Sequence, residues 1–326
     1  MDLRKVQRTS SGTFFVCLPK DWAERNRLDR GSVVAISEMA DGRLAVDAEY
    51  GEEPVPQVAV VEPTSYLDRE ILEKYLLGYD VIRVEAKERI GLGDRERVKQ
   101  TSSRLVGLEI IEEDQSRIVM QCLLEPSALP PEKILRREYS IASDMHRDAV
   151  TALIDGDVHL AKNVVARDNE VDRLYFLLVR ILRTVIQNPG LSEKLEILPI
   201  DCLDYRLVAS LVESIGDQSV QVAEKVVDLG GTKIVGELSK LVLRFHEVVY
   251  GAHESALRAM FSRDVSLAES VRSGREKSEA VLREVEKVAQ GQPVEVASGV
   301  LAVVSSLNRI YDHGVDIADL VMPRLV

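Results

Sequence analysis

A chain of 326 residues is long enough for two or three domains, each burying a core of its own. Its formal charge of −12 excludes a protein that is basic throughout and coats nucleic acid, but leaves room for one basic patch. Aromatic residues are only 5% of the chain, and Leu, Val, Glu and Arg are abundant, which points to packed helices over much of it. Cys17, Cys122 and Cys202 are far apart and form no CxxC pair, as suits free thiols in a reducing cytosol. The N-terminus, MDLRKVQRT, has no apolar core of a signal peptide, and no run reaches the roughly eighteen apolar residues that cross a bilayer. The expectation is a cytoplasmic protein with no transmembrane segment.

Residues 1–52 read as β-rich with one short helix. Arg4 to Arg8 alternates, Ser10 to Gly12 turns the chain, and TFFVCL from Thr13 to Leu18 is strand-prone. Pro19 suits the first turn of a helix, PKDWAERN. SVVAIS (Ser32 to Ser37) and RLAVD (Arg43 to Asp47) then form a hairpin across ADG. So small a unit cannot bury enough surface alone and is expected to dimerise or lean on a neighbour. The order RKVQRT, FVCLPKDW, LDRGSVVAI resembles the AbrB/SpoVT family of swapped-hairpin DNA-binding domains, in which two chains interleave into one small β-barrel. The resemblance implies a homodimer that contacts DNA, and the matching basic residues are Arg4, Lys5, Arg8 and Lys20. The first thirty residues hold seven Lys/Arg against four Asp/Glu, the charge that phosphate contacts require. An ordinary charged rim on a dimerisation unit is the alternative.

GEEPVPQ, from Gly51 to Gln57, reads as a linker. Residues 57–125 follow as a small α/β domain: strands at Val58 to Val61 and Val81 to Val84 alternate with helices near Asp68 to Leu77 and Arg95 to Val106. Two more strands, Leu108 to Ile111 and Ile118 to Cys122, flank EDQSR. Gly91 and Gly93 complete no phosphate loop, because no GK[ST] follows. With no catalytic constellation in it, this domain is expected to couple the two ends or to sense a signal.

Residues 134–326 carry six amphipathic helices, centred near Met145, Leu174, Ile215, Val248, Leu282 and Ile310. Breaks fall at Asp155-Gly156-Asp157, Asn188-Pro189-Gly190, Gly230-Gly231, Ser262-Arg263-Asp264 and Gln290 to Pro293. In the third helix, Val208, Leu211, Val212, Ile215, Val222 and Val226 make an apolar stripe, and Glu213, Asp217 and Glu224 line the side away from it. A solvated acidic face is the plain reading of that line. Its recurrence argues for more: aligning Asp217 with Asp312 also pairs Val208 with Val303, Ile215 with Ile310 and Glu224 with Asp319. The second and fifth helices likewise begin alike, with DVHLA and DVSLA. The helical half is therefore expected to be two copies of a three-helix bundle.

ARDNEVDRLY (Ala166 to Tyr175), ESIGDQSVQVAE (Glu213 to Glu224) and NRIYDHGVDIAD (Asn308 to Asp319) resemble the PhoU family of phosphate-uptake regulators. In that family such acidic motifs hold metal clusters on the bundle surface. The resemblance implies divalent or ferric ions at Asp168, Asp172, Glu213 and Asp217, and a contribution from Asp312 in the second copy. Carboxylates one turn apart on neighbouring helices suit hard cations, whose charge offsets their repulsion. The second site looks degraded, since Asn308 stands in place of Glu213 and Arg275 in place of Asp168.

A di-iron oxidase would need Glu-x-x-His pairs, and none precedes any of the five histidines. No nucleophile elbow, zinc-hydrolase motif or dinucleotide loop occurs. His246 and His253, two turns apart on the fourth helix, read as surface or packing residues. The two resemblances together imply a non-enzymatic, dimeric regulator of phosphate homeostasis with DNA as a partner. The alternative is an adaptor that contacts a phosphate transporter ATPase or a sensor kinase.

Overall fold

The computed structural model describes residues 3–38, 42–48 and 56–322. The chain divides into two compact units, Met1–Pro56 and Gln57–Val326. Most of the expected linker (51–55), and Ala40 and Asp41 of the expected ADG turn, lie outside the described residues.

In the first unit, β1 (Gln7–Arg8) pairs antiparallel with β2 (Phe14–Phe15), far shorter than the expected strands. Helix α1 (Lys20–Arg25) follows Pro19 as its N-cap residue. β3 (Ala35–Glu38) and β4 (Leu44–Asp47) form the expected hairpin, with Ile36 opposite Val46. These are two separate two-stranded ladders, and the described residues do not show a closed swapped-hairpin barrel. No described side chain here is buried, and Phe14, Phe15, Val33, Ile36 and Leu44 are exposed. The described residues of this unit include apolar side chains but form no core.

The second unit opens with the α/β layer in the expected order: β5 (Val58–Val61), α2 (Leu67–Leu76), β6 (Val81–Glu85), α3 (Leu92–Arg104), β7 (Leu108–Glu113) and β8 (Arg117–Cys122). The sheet runs β5-β6-β8-β7, with β5 parallel to β6 and the other neighbours antiparallel. Ile71 and Tyr75 of α2 pack with Ile82, Val84, Ile118 and Met120 of the sheet in one buried cluster.

Helices α4 (Pro131–Asp155), α5 (Val158–Gln187), the short α6 (Pro189–Lys194) and α7 (Asp201–Asp228) make the first bundle. The second holds α8 (Gly236–Ser262), α9 (Val265–Arg272), α10 (Arg275–Ala289) and α11 (Val294–Asp319). The shared Asp of DVHLA and DVSLA caps its helix in both copies. Asp157 accepts from the amides of His159 and Leu160, and Asp264 from that of Leu267, contacts worth about 1 kcal/mol each. The expected fifth helix is instead two, because the chain breaks at Ser273-Gly274, and a Cβ on Gly274 would lie 3.1 Å from the Tyr311 hydroxyl. Val208, Val212, Ile215, Val222 and Val226 are buried as the stripe predicts, while Leu211 is only partly so.

The α/β layer is fastened to the first bundle. Phe176 of α5 packs against the core of the layer. Buried Arg180 of α5 donates to the carbonyls of Tyr75, Gly78 and Tyr79 at the end of α2, at 2.7, 3.2 and 3.0 Å. A cation suits that position, since a helix C-terminus carries partial negative charge and unpaired carbonyls.

Candidate functional site

Four of the five acids singled out in the sequence come together. Asp168 and Asp172 stand one turn apart on α5 and flank buried Val171; Glu213 and Asp217 stand one turn apart on α7 and flank Ile215 and Gly216. Gly216 lies against α5, with its Cβ position 3.5 Å from Val171 Cγ1 and 3.7 Å from Asp168 Oδ1. An open groove leads from Asp168 and Asp217 towards Ser305, Ser306 and Arg309 of α11.

The acids raise one another's affinity for protons. Burial, then Asp172 and Asp217, pushes Asp168 up to about 6, against a lowering by Arg104. Burial and the three neighbouring aspartates push Glu213 up to about 7, with Arg206 opposing. Asp217 is raised by burial and by Asp172. This is the signature of carboxylates gathered without enough positive charge.

Two participants were not legible in the sequence. Arg104, at the end of α3, reaches across from the α/β layer and donates to Asp172 Oδ2 at 3.1 Å. Glu138 of α4 is fully buried, and neither of its carboxylate oxygens has a hydrogen-bond partner among the described residues. Burial first and then Glu213 hold its carboxyl well above the usual range. A buried, unsatisfied carboxyl costs on the order of 1–3 kcal/mol. The acids therefore do not all face away from the apolar stripe: Glu213 is half-buried, with Glu138 beneath it.

Asp312 belongs to a different environment. Arg275 donates to its Oδ1 at 3.0 Å, and Asn308 to its Oδ2 at 3.3 Å. Asp319 is paired in turn with Arg272 at 2.7 Å. Arg275, which stands where the first copy has Asp168, thus neutralises Asp312.

The donor chemistry at the first copy fits a hard cation: five carboxyl groups, one of them orphaned in the interior. No group of three or more His, Cys, Asp or Glu side chains among the described residues is arranged to hold a metal ion.

At the N-terminus, Arg8 lies over the ring of Phe14 at 5.3 Å, and Lys20 pairs with Glu24 at 3.6 Å. Arg4 and Lys5 are exposed.

Comparison with known proteins bears on the helical half. The PhoU domain family matches residues 135–226 and 242–321, one stretch for each bundle. A phosphate-specific transport system accessory protein PhoU homolog from Caulobacter vibrioides is 24% identical over 187 residues, which is 56% of this chain and 80% of the relative. The Rhizobium meliloti homolog is 25% identical over 189 residues, 56% of this chain and 78% of its own. Among solved structures, PhoU from Pseudomonas aeruginosa superposes with a TM-score of 0.54 at 21% identity, covering 60% of this chain and 95% of that one. The regulatory PhoU protein from Streptococcus pneumoniae gives 0.50 at 16% identity, covering 59% and 91%. PhoU proteins are regulatory accessory proteins and not enzymes. With more than half its length matched, in two stretches that coincide with its two helical bundles, the chain belongs to the PhoU family.

Proposed function

We propose that this protein is a cytoplasmic regulator of phosphate uptake that binds divalent or ferric cations at the acidic face of α5 and α7. Family membership and relatives named for phosphate-specific transport support the regulatory role. The observation that carries the cation reading is Glu138, a carboxyl buried with no partner among the described residues and close to Glu213, which with Asp168 and Asp217 is held above its ordinary range. A bound cation would supply the positive charge that this face lacks. Asp168, Asp172, Glu213 and Asp217 would hold it, Glu138 would lie beneath as a proton donor or further ligand, and Arg104 would be released from Asp172. Metal analysis of the purified protein is the test. Replacing Glu213 and Asp217 by Ala should remove most of the bound metal, whereas Asp312→Ala should remove little because Arg275 already neutralises it. Equal losses from both would overturn the single-site reading.

The N-terminal unit is assigned to DNA binding as a homodimer. Its exposed apolar residues call for a second copy, and Arg4, Lys5 and Lys20 stand at its surface. A DNA-binding assay on the gene's own upstream sequence checks this. A dimeric protein without affinity for DNA would instead favour an adaptor that contacts a phosphate transporter ATPase or a sensor kinase.

A further inference from the structure

His146 of α4 and His246 and His253 of α8 form a hydrogen-bonded chain through the interior between the two bundles, so the latter two are packing residues with His246 at the partly exposed end. Tyr139 Oη lies 2.9 Å from His253 Nδ1, His253 Nε2 lies 3.1 Å from His146 Nδ1, and His146 Nε2 lies 3.1 Å from His246 Nδ1. His146 and His253 are fully buried, and His246 is partly exposed. Tyr250 packs its ring against all three, with centroids 4.9–5.9 Å away, and accepts a hydrogen bond from Arg147 at 2.5 Å.

The chemistry of such a chain is restrictive. A neutral imidazole donates from one nitrogen and accepts at the other, so the protons must all point the same way along the chain. One extra proton can still be accommodated, since a single ring may donate in both directions. A second sets N–H against N–H at some junction. The groups around the chain do not favour positive charge. Arg147 on α4 is itself a cation and opposes charge on the rings, and the tyrosines are neutral; the acid Glu254 on α8, felt at Tyr139, pulls the other way. From α11, Gly314 meets His253, and its Cβ position lies 3.1 Å from the His253 backbone.

We propose that this chain is a proton-operated latch between the bundles, closed while the three rings are neutral and released when protons enter from His246. Burial holds the folded-state values down, His253 to about 3, His246 to about 4 and His146 well below its usual range. An opened seam would expose rings that titrate near 6.5. Opening is therefore indifferent to pH above about 6.5 and is favoured progressively below it, up to tenfold per pH unit for each ring released. The site suits a local event, because α7 and α11 make the broad contact between the bundles and α4 and α8 only a narrow one.

Amide hydrogen exchange on the full-length protein from pH 7.5 to 5, corrected for intrinsic rates, tests the latch. Residues 139–150 and 246–257 should open with an apparent proton order near three below pH 6.5. Buried amides of α5 at Leu177 to Leu182 should stay protected. His246→Gln, at the exposed end and least disruptive to packing, should lower the order to two. An order of zero would overturn the proposal, as would an order unchanged in His246→Gln, or loss of protection in all helices together.

Discussion

The carbonyl oxygen of Gly231 occupies the place where a side chain on Gly156 would begin, 2.2 Å from the Cβ position. The turn after α4 and the turn after α7 are thus locked backbone to backbone, and Gly156 itself has φ +66°. Gly156→Ala should cost about 3 kcal/mol or more, because a backbone and not a side chain must give way. Gly230→Ala is the control: its φ is +60° but nothing lies within 4 Å, so only the left-handed penalty of about 1 kcal/mol should appear. Urea unfolding of the two variants measures the difference.

Arg180→Met keeps the length of the side chain and removes its donors. The carbonyls of Gly78 and Tyr79 would then lose the guanidinium, while that of Tyr75 keeps the Gly78 amide, and the fold should be destabilised by about 2–4 kcal/mol. Hydrogen exchange should rise first in α2 and in the turn at Gly78, with α7 and α11 little affected. Uniform loss across the whole second unit would show that Arg180 is a general core residue and not a fastener.

In chelator, the acid face should make stability fall as pH rises. Glu213 and Asp168 have folded-state values near 7 and 6, above the unfolded 4.5 and 3.8. Their protonated forms therefore stabilise the fold fully below about pH 4, and that contribution is lost as pH rises through 6 to 7. Both groups are partly exposed, so screening reduces the effect to about 1 kcal/mol. Glu213→Gln should raise the melting temperature of the chelated protein at pH 8 and flatten its dependence between pH 5 and 8. A variant melting curve with the same pH dependence as the parent would contradict the shared charge burden.

If the N-terminal unit binds DNA as proposed, reversing charge at Arg4, Lys5 and Arg8 should flatten the salt dependence of that affinity, by roughly one in log–log slope for each phosphate no longer neutralised. Sedimentation of the variant checks that the dimer survives. A dimeric variant that binds DNA with an unchanged slope would remove these residues from the interface.

Much of the helical half was legible because its punctuation is chemical. Gly156 takes the left-handed cap of α4, Asp157 and Asp264 cap α5 and α9, and helix ends fall where Asn188-Pro189 and Pro293 stand. The pairing of Asp168 and Asp172 with Glu213 and Asp217 followed from helical spacing and family resemblance together. Glu138 was hidden because RREYS looks like a solvated charge run; only the packing of α4 against α5 and α7 buries it. Arg104 and the histidine chain join residues 68 and about 100 positions apart, distances over which periodicity carries no information. The first strands were overestimated because alternation in RKVQRT and TFFVCL reports β-propensity, not how many residues find a partner.

The buried guanidinium of Arg180 also bears on how this architecture can be taken apart. A truncation that begins after the sheet would strip the carbonyls from a permanent cation and leave it facing water beside an uncovered Phe176. Recombination could exchange residues 1–56 as a cassette, since they form a compact unit of their own. The α/β layer has no such freedom. In any lineage that keeps Arg180 and Phe176, the layer and the bundles should be inherited together.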